Sequence, residues 1–404
     1  MDYNVIKSFS NYYKVRLGAF QMDKGKKFNK LFIASIVIAA IITYVSIILG
    51  NNVNKIYFCV NIISLVLLMF GLAARNKAIF YKDLQKIKEN YSNGNNRVRK
   101  FEDIKLLFDV LKYKEPEELY IDDQTYLDLN MNNVFEKVDR TLSSPGEQYL
   151  YYILRNPILK EEKIINRNKI ITFFQDNKEI REKIQRKFLK LGRQNINTIT
   201  CFLWDEISYK TFMKPLLYLL RILAYGSLIS ITFIGIGKAW IFILIIFAVN
   251  GYLSAKIKKD IGGDLASMGY LSKIIRLAEA IGSVEDKELK RYTLKLKEQS
   301  KKCKAITRKD AFIKIGRVEG VDMLYEYINI FFLSEARGFN KIIDEVKAHI
   351  EDIRSIYLIL GEIDALISVA SYRDGLLEYV EPKLTKGLKE IMVKDIKQDR
   401  KSVV

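Results

Sequence analysis

The sequence predicts a mostly α-helical protein: two transmembrane helical hairpins carrying an all-helical cytoplasmic domain with long lever-type helices. Three observations support this. Four uncharged apolar runs occur as two tandem pairs. Only five prolines occur (Pro116, Pro145, Pro157, Pro215, Pro382), none between Pro215 and Pro382, so long helices are sterically permitted there. The polar stretches repeat apolar residues at helical spacing.

Residues 31–50 (LFIASIVIAAIITYVSIILG) carry no charge, enough to cross a hydrocarbon core of about 30 Å. Residues 56–74 repeat the pattern after a polar turn at 51–55. A buried core helix would account for one such run; a tandem pair favours a spanning hairpin. Thirty mixed polar residues precede the first run, unlike a cleaved signal peptide. The second hairpin comprises residues 222–237 and 239–255, on either side of Lys238. These runs are short, so Arg221 and Lys238 are expected to reach toward opposite interfaces. A hairpin that enters without crossing is the alternative.

Basic residues set the orientation. Lys24, Lys26, Lys27 and Lys30 precede the first span; Arg75, Lys77, Lys82, Lys86 and Lys88 follow the second; Lys256, Lys258 and Lys259 follow the fourth. The hairpin turns carry only Lys55 and Lys238. By the positive-inside rule, the N-terminus and main domain of this multi-pass protein face the cytoplasm. Little is then left outside, which argues against a receptor or adhesion protein. The spans contain no Asp, Glu, Lys or His for an ion path, which argues against a transporter. Asn61 and Asn250 are expected to hydrogen-bond between helices.

The net charge of +19 favours anionic partners, DNA or acidic membrane lipid, although orientation alone also calls for cytoplasmic cations. Cys59, Cys201 and Cys303 are far apart and His349 is the only histidine, so no zinc site is expected and the thiols should be free.

Residues 101–113 (FEDIKLLFDVLKY) read as an amphipathic helix, and 118–123 as a short strand or extended lead-in. Asp139 or Thr141 can hydrogen-bond backbone groups in a turn, and Ser144-Pro145-Gly146 breaks the chain before the next helix. Pro157 ends that helix. Residues 160–174 start another, with Ile164, Ile165, Ile170, Ile171 and Phe174 available to a core. No nucleophile accompanies a base here, so Asp139 and Thr141 are expected to build structure. Residues 343–372 show a broad apolar face with charges opposite, in a region 268–372 expected to be almost continuous helix.

On these residues the chain resembles the MutS core domain. Asp123 and Thr125 match the start of that family's pattern; Val138, Asp139, Thr141, Ser143 and Gly146 its middle; Leu150, Ile153, Leu154, Pro157, Ile158, Ile164 and Arg167 its end. A second block, 360–370 with Asp364 before Ser368 and Ala370, resembles the helix returning toward the family's ATPase domain. Asp139, Thr141, Gly146, Pro157, Arg167 and Asp364 are thus the family-motif residues expected to be structural. Two departures are mild: Ser143 replaces a second Thr, and Ile153-Leu154-Arg155-Asn156 replaces a Trp-containing segment. The larger one, a hairpin inside the core region, implies a membrane-anchored branch. The resulting map is a cytoplasmic segment 1–30, hairpin 31–74, helical linker 75–117, core 118–214, hairpin 215–255, long core helices 256–385 and a tail 386–404. The resemblance further implies a homodimer, and ATP and Mg only for an intact parent.

In 287–309, Lys287, Lys290, Arg291, Lys301, Lys302, Lys304 and Arg308 are candidate phosphate contacts. A solvated helix face, interspersed with Glu288 and Glu298, is the simpler reading. The nearest approach to a P-loop, Gly235-Ile236-Gly237-Lys238-Ala239, lacks the first Gly and the hydroxyl. No catalytic, cofactor or metal residue is therefore assigned, and this chain is not expected to be an enzyme. The expected function is the core-and-lever portion of a membrane-anchored, MutS-like, ATP-dependent DNA-binding protein. The alternative is a non-enzymatic membrane scaffold that binds a protein partner. The ending Asp399-Arg400-Lys401-Ser402-Val403-Val404 is what the sequencing-adapter string GATCGGAAGAGCGTCGTG encodes, with a stop triplet next, so the tail is expected to be non-biological. Resequencing beyond Lys397 should find an open frame encoding a P-loop; a genuine stop after Val404 would contradict this.

Overall fold

The computed structural model describes residues 3–89, 91, 97–114, 119–194, 198–205, 214–309, 322–380, 382 and 392–393. The tail 386–404 lies outside these apart from two residues. All regular structure among the described residues is helical.

The first hairpin pairs α1 (Tyr3–Asn52) with α2 (Asn61–Glu89) through a 3₁₀ turn, Lys55–Val60. Asn54 caps that turn, its Oδ1 accepting from the Ile56 N–H at 3.0 Å. The packing inverts that of a water-soluble protein. Small residues are buried between the helices: Ser35, Ala39, Ser46, Ser64, Gly71 and Ala74. Ile33, Val37, Ile41, Val66 and Phe70 face outward. A Cβ on Gly71 would lie 2.0 Å from Ser35 Oγ, so the backbones meet where only glycine fits. Large apolar side chains on the outside gain nothing from water, and small ones inside let two helices close.

Eight helices follow: α3 (Phe101–Lys114), α4 (Asp123–Asp128), α5 (Met131–Val138), α6 (Ser144–Arg155), α7 (Glu161–Asp176), α8 (Lys178–Leu191), α9 (Thr198–Trp204) and α10 (Lys214–Ile234). Residues 119–122 form no strand. They are an extended lead-in, held where the Ile121 N–H donates to Arg155 O at 2.8 Å. The buried Arg155 guanidinium stacks over Phe108 and Tyr126 and donates to Ile121 O and Asp123.

The second hairpin joins α10 to α11 (Ile236–Gly282). Its turn is at Gly235, not Lys238. Gly235 has φ +76, a left-handed conformation open to glycine, and Lys238 already lies in the first turn of α11. The candidate spans on these two helices are Pro215–Ile234 and Gly237–Lys259. Arg221 lies within the first, its guanidinium 5.4 Å from the Tyr225 ring centre. Together with Lys24–Asn52 and Lys55–Glu89, these make four helices long and apolar enough to cross a bilayer.

The chain returns through α12 (Lys290–Lys302), α13 (Lys304–Lys309), α14 (Asp322–Phe332), α15 (Ser334–Ala348) and α16 (Ile350–Asp374). The expected near-continuous helix over 268–372 is therefore divided, with residues 310–321 outside the described set. α14 packs against the second hairpin. Asn250, fully buried, donates from Nδ2 to Phe331 O at 2.6 Å, and Tyr225 meets Phe332. The main hydrophobic core forms around α16, where Ile353, Ile356, Tyr357, Leu360, Ile363, Leu366, Ile367 and Ala370 are all buried. It is joined by Phe174, Ile184, Phe188, Leu203 and the second half of α11, from Met268 to Ile281.

Candidate functional site

The site is a buried polar junction where the N-terminus of α6 meets the middle of α16. A helix N-terminus leaves backbone N–H groups without intrahelical partners, and burial makes each costly unless satisfied. Ser143 is the N-cap: its Oγ accepts from the Gly146 N–H at 3.2 Å and donates to Asp364 Oδ2 at 2.6 Å. The same carboxylate, 221 residues away in sequence, accepts from the Ser143 N–H at 2.9 Å and the Leu142 N–H at 3.0 Å. Asp364 is 1 % exposed.

The backbones must approach closely for this. A Cβ on Gly146 would fall 2.2 Å from Asp364 Oδ2, and one on Gly361 would fall 2.7 Å from Pro145 O. Glycine on each side of the crossing admits the partner helix. Ser368, one turn further along α16, accepts from the Arg140 N–H at 2.7 Å and donates to Val138 O at 2.7 Å.

A second layer is ionic. Asp139, wholly buried, accepts from the Thr141 N–H at 3.1 Å, Thr141 Oγ1 at 2.7 Å, Arg99 Nε at 3.0 Å and Arg97. Arg97 also reaches Glu147, and Arg193 reaches Glu147 and Thr141 O. Tyr270 of α11 donates to Gly192 O at 2.7 Å and receives the Ser144 N–H at 3.4 Å. Gln148 ties α6 to three helices, donating to Asp103 O at 2.8 Å and accepting from Thr200 and Tyr357.

The two carboxylates respond oppositely. Burial pushes Asp364 up from 3.8 to about 6, against the Ser143 hydrogen bond and the charge of Arg193, which pull it down. Burial would raise Asp139 too, but Arg97, Arg193 and the hydrogen bonds from Thr141 and Arg97 outweigh it and hold Asp139 below the ordinary range.

Of the motif residues, the structure brings Asp139, Thr141, Gly146 and Asp364 together and leaves two outside. Pro157 is exposed just after the α6 C-cap, where Asn156 is extended (ψ 90), as a residue before proline must be. Arg167 is half-buried on α7, its charge acting on Glu362, which accepts from Tyr292 OH at 3.1 Å. Arg97, Arg99, Glu147, Arg193 and Tyr270 were not readable as partners, because they join the junction only through tertiary contact. Lys287, Lys290, Arg291, Lys301, Lys302, Lys304 and Arg308 are all exposed, on α12, α13 and the turn before them. Lys302 pairs with Glu298 and Asp352, both at 3.2 Å. Among the described residues no group of three or more His, Cys, Asp or Glu could hold a metal ion.

The junction binds one long, buried helix to the N-cap of another within an all-helical core domain. Comparison with protein families matches residues 117–370 to MutS domain III, well over half of the chain. The chain belongs to that family. The match runs through the second apolar hairpin. No curated protein and no solved structure matches.

Because Asp364 is raised from 3.8 to about 6, the folded state holds a proton that the unfolded chain releases. Its contribution to stability is full below pH 3.8 and is lost as pH rises through about 6. Asp364→Asn can accept the same N–H donors but does not titrate. Thermal unfolding across that window should show the native protein losing stability relative to Asp364→Asn as pH rises; parallel curves would contradict the assignment. Gly146→Ala, which forces Asp364 away, should cost about 3 kcal/mol.

Proposed function

We propose that this chain is the anchor, core and lever of a membrane-bound MutS-like protein, held in the cytoplasmic membrane by its two hairpins. The observation carrying this is α11, a single 47-residue helix. At 1.5 Å per residue it is about 70 Å long. Its first half is the apolar window Gly237–Lys259, with Trp240, Ile241, Ile245 and Tyr252 facing outward. Its second half, through Leu271, Ile274, Ala278 and Ile281, is buried in the MutS domain III core. An apolar exterior of this length is stable only in lipid, so the helix would carry the core on the bilayer without a flexible linker.

The junction supports a structural role for Asp139, Thr141, Gly146 and Asp364, since their polar atoms are engaged in holding α6 against α16. On this reading the intact protein pairs as a homodimer and binds DNA under the control of ATP and Mg held by a nucleotide-binding domain elsewhere in it. The exposed cations of α12 and α13 would contact phosphate. The pairing of Lys302 with two carboxylates favours a smaller contribution from it than from Lys301, Lys304 or Arg308.

Two measurements test this. After alkaline carbonate washing, the chain should remain with the membrane pellet; recovery as a monodisperse soluble protein would overturn the anchor. In the intact protein, duplex DNA binding should depend on ATP. Lys301→Gln, Lys304→Gln and Arg308→Gln together should flatten the logarithmic salt dependence by up to about 3, because each phosphate no longer neutralised removes roughly 0.9 from the slope. Absence of any DNA binding would leave the membrane scaffold.

A further inference from the structure

We propose that the cytoplasmic end of the first hairpin holds a binding site for the phosphate headgroup of an anionic phospholipid. A cavity of about 500 Å³ opens there between α1 and α2. Lys26 and Asn29 line it from α1; Arg75, Ala78 and Lys82 line it from α2. The positions 75, 78 and 82 share one helical stripe, as do 26 and 29, so the two stripes face each other across the gap. A Cβ on Gly25 would lie 3.7 Å from Ala78 O and from Tyr81 Cβ, so the two helices close on each other beside the cavity.

Three cations therefore border one cavity. None of the described ion pairs engages Lys26, Arg75 or Lys82 with a carboxylate. Arg75 lies over the Phe32 ring, 5.5 Å from its centre, which orients it without neutralising it. The side-chain amide of Asn29 supplies a further donor. Such a set suits a phosphate diester, an anion with several acceptor oxygens.

Position selects the lipid. The inference rests on the membrane reading above, because the cavity begins where the apolar runs stop. Asn29 lies two residues before the run 31–50, and Arg75 follows the run 56–74 directly. That is the depth of the headgroup layer, and basic pockets between helices on the cytoplasmic side are suited to anionic headgroups. Ile79, also lining the cavity, is 42 % exposed, and Leu31 is 38 % exposed. Leu31, the first residue of the run 31–50, begins an apolar wall toward the bilayer centre, along which acyl chains can lie, whereas Ile79 lies one turn beyond Arg75 on the cytoplasmic side. A free phosphate has no use for that wall, and a DNA duplex is too wide to enter between two packed helices.

The test uses the full chain in nanodiscs of phosphatidylcholine mixed with phosphatidylglycerol, with mass spectrometry of the lipids retained after transfer to detergent. The native chain should retain phosphatidylglycerol in preference. Lys26→Gln, Arg75→Gln and Lys82→Gln should each weaken that preference about fivefold, and Lys55→Gln, at the opposite turn, should leave it unchanged. Unchanged preference in the three variants, with helix content and thermal midpoint preserved, would overturn the site. Equal occupancy by glycerol 3-phosphate would overturn the lipid assignment in favour of a soluble phosphate, and displacement by a DNA duplex would reassign the cavity to nucleic acid. Carbonate washing of the same variants keeps the two readings apart. A chain that stays in the pellet yet shows no lipid preference refutes the site alone, whereas a chain that washes out refutes the anchor.

Discussion

The carboxylate of Asp364 supports the rest of the core. It lies on the long core helix α16 and accepts the N–H groups of Leu142 and Ser143, just before α6 begins, in a place that water does not reach. Neutral hydrogen bonds contribute modestly, but an unsatisfied buried N–H costs about 1–3 kcal/mol, so the carboxylate's value lies in preventing that loss. Around it, Arg97, Arg99 and Arg193 face Asp139 and Glu147, so removing one charge would strand another. The ring of partners draws on the segment before α3 and on α6, α11 and α16, and so fixes how the lever helices leave the core.

Two packing rules coexist in one chain, and α11 passes from one to the other. Around Ala224, Ala239 and Asn250, small and polar residues are inside and large apolar ones outside. Around Leu271, Ile274 and Ile281 the order is the familiar one for water. No break separates the two regimes within Ile236–Gly282. A tilt of the apolar end would thus be passed to the core as rigid-body motion. α14 adds a second connection, through Asn250 to Phe331 and through Lys258 to Glu326.

Local signals were legible in the sequence, and tertiary ones were not. Uncharged runs and helical periodicity are properties of a few neighbouring residues, so the two hairpins and the helices at 101–114, 144–155 and 161–176 could be read directly. The motif residues Asp139, Thr141, Gly146 and Asp364 could be named from a family resemblance, but nothing local tells that Asp364 holds the N-cap Ser143 of α6. Arg97 and Arg193 sit in polar stretches without periodicity, and only the fold brings them to Glu147. In the sequence, the charge of Lys238 interrupts an apolar run and points to a turn there. The backbone turns at Gly235, where a positive φ is available, and a helix tolerates one lysine in its first turn. The docking of α14 was hidden because the apolar sequence of Asp322–Phe332 calls for a buried helix without saying that it packs on the second hairpin.

The continuity of α11 from lipid to core is the claim on which the account stands. The most direct measurement is a cysteine-accessibility scan along that helix in native membranes, in a background without Cys59, Cys201 and Cys303. Single cysteines at Ile241, Ile245 and Val249 should resist a membrane-impermeant thiol reagent until detergent is added, whereas those at Lys256 and Lys259 should react from the cytoplasmic side. Rapid labelling at Ile241, Ile245 and Val249 in intact membranes would contradict that continuity.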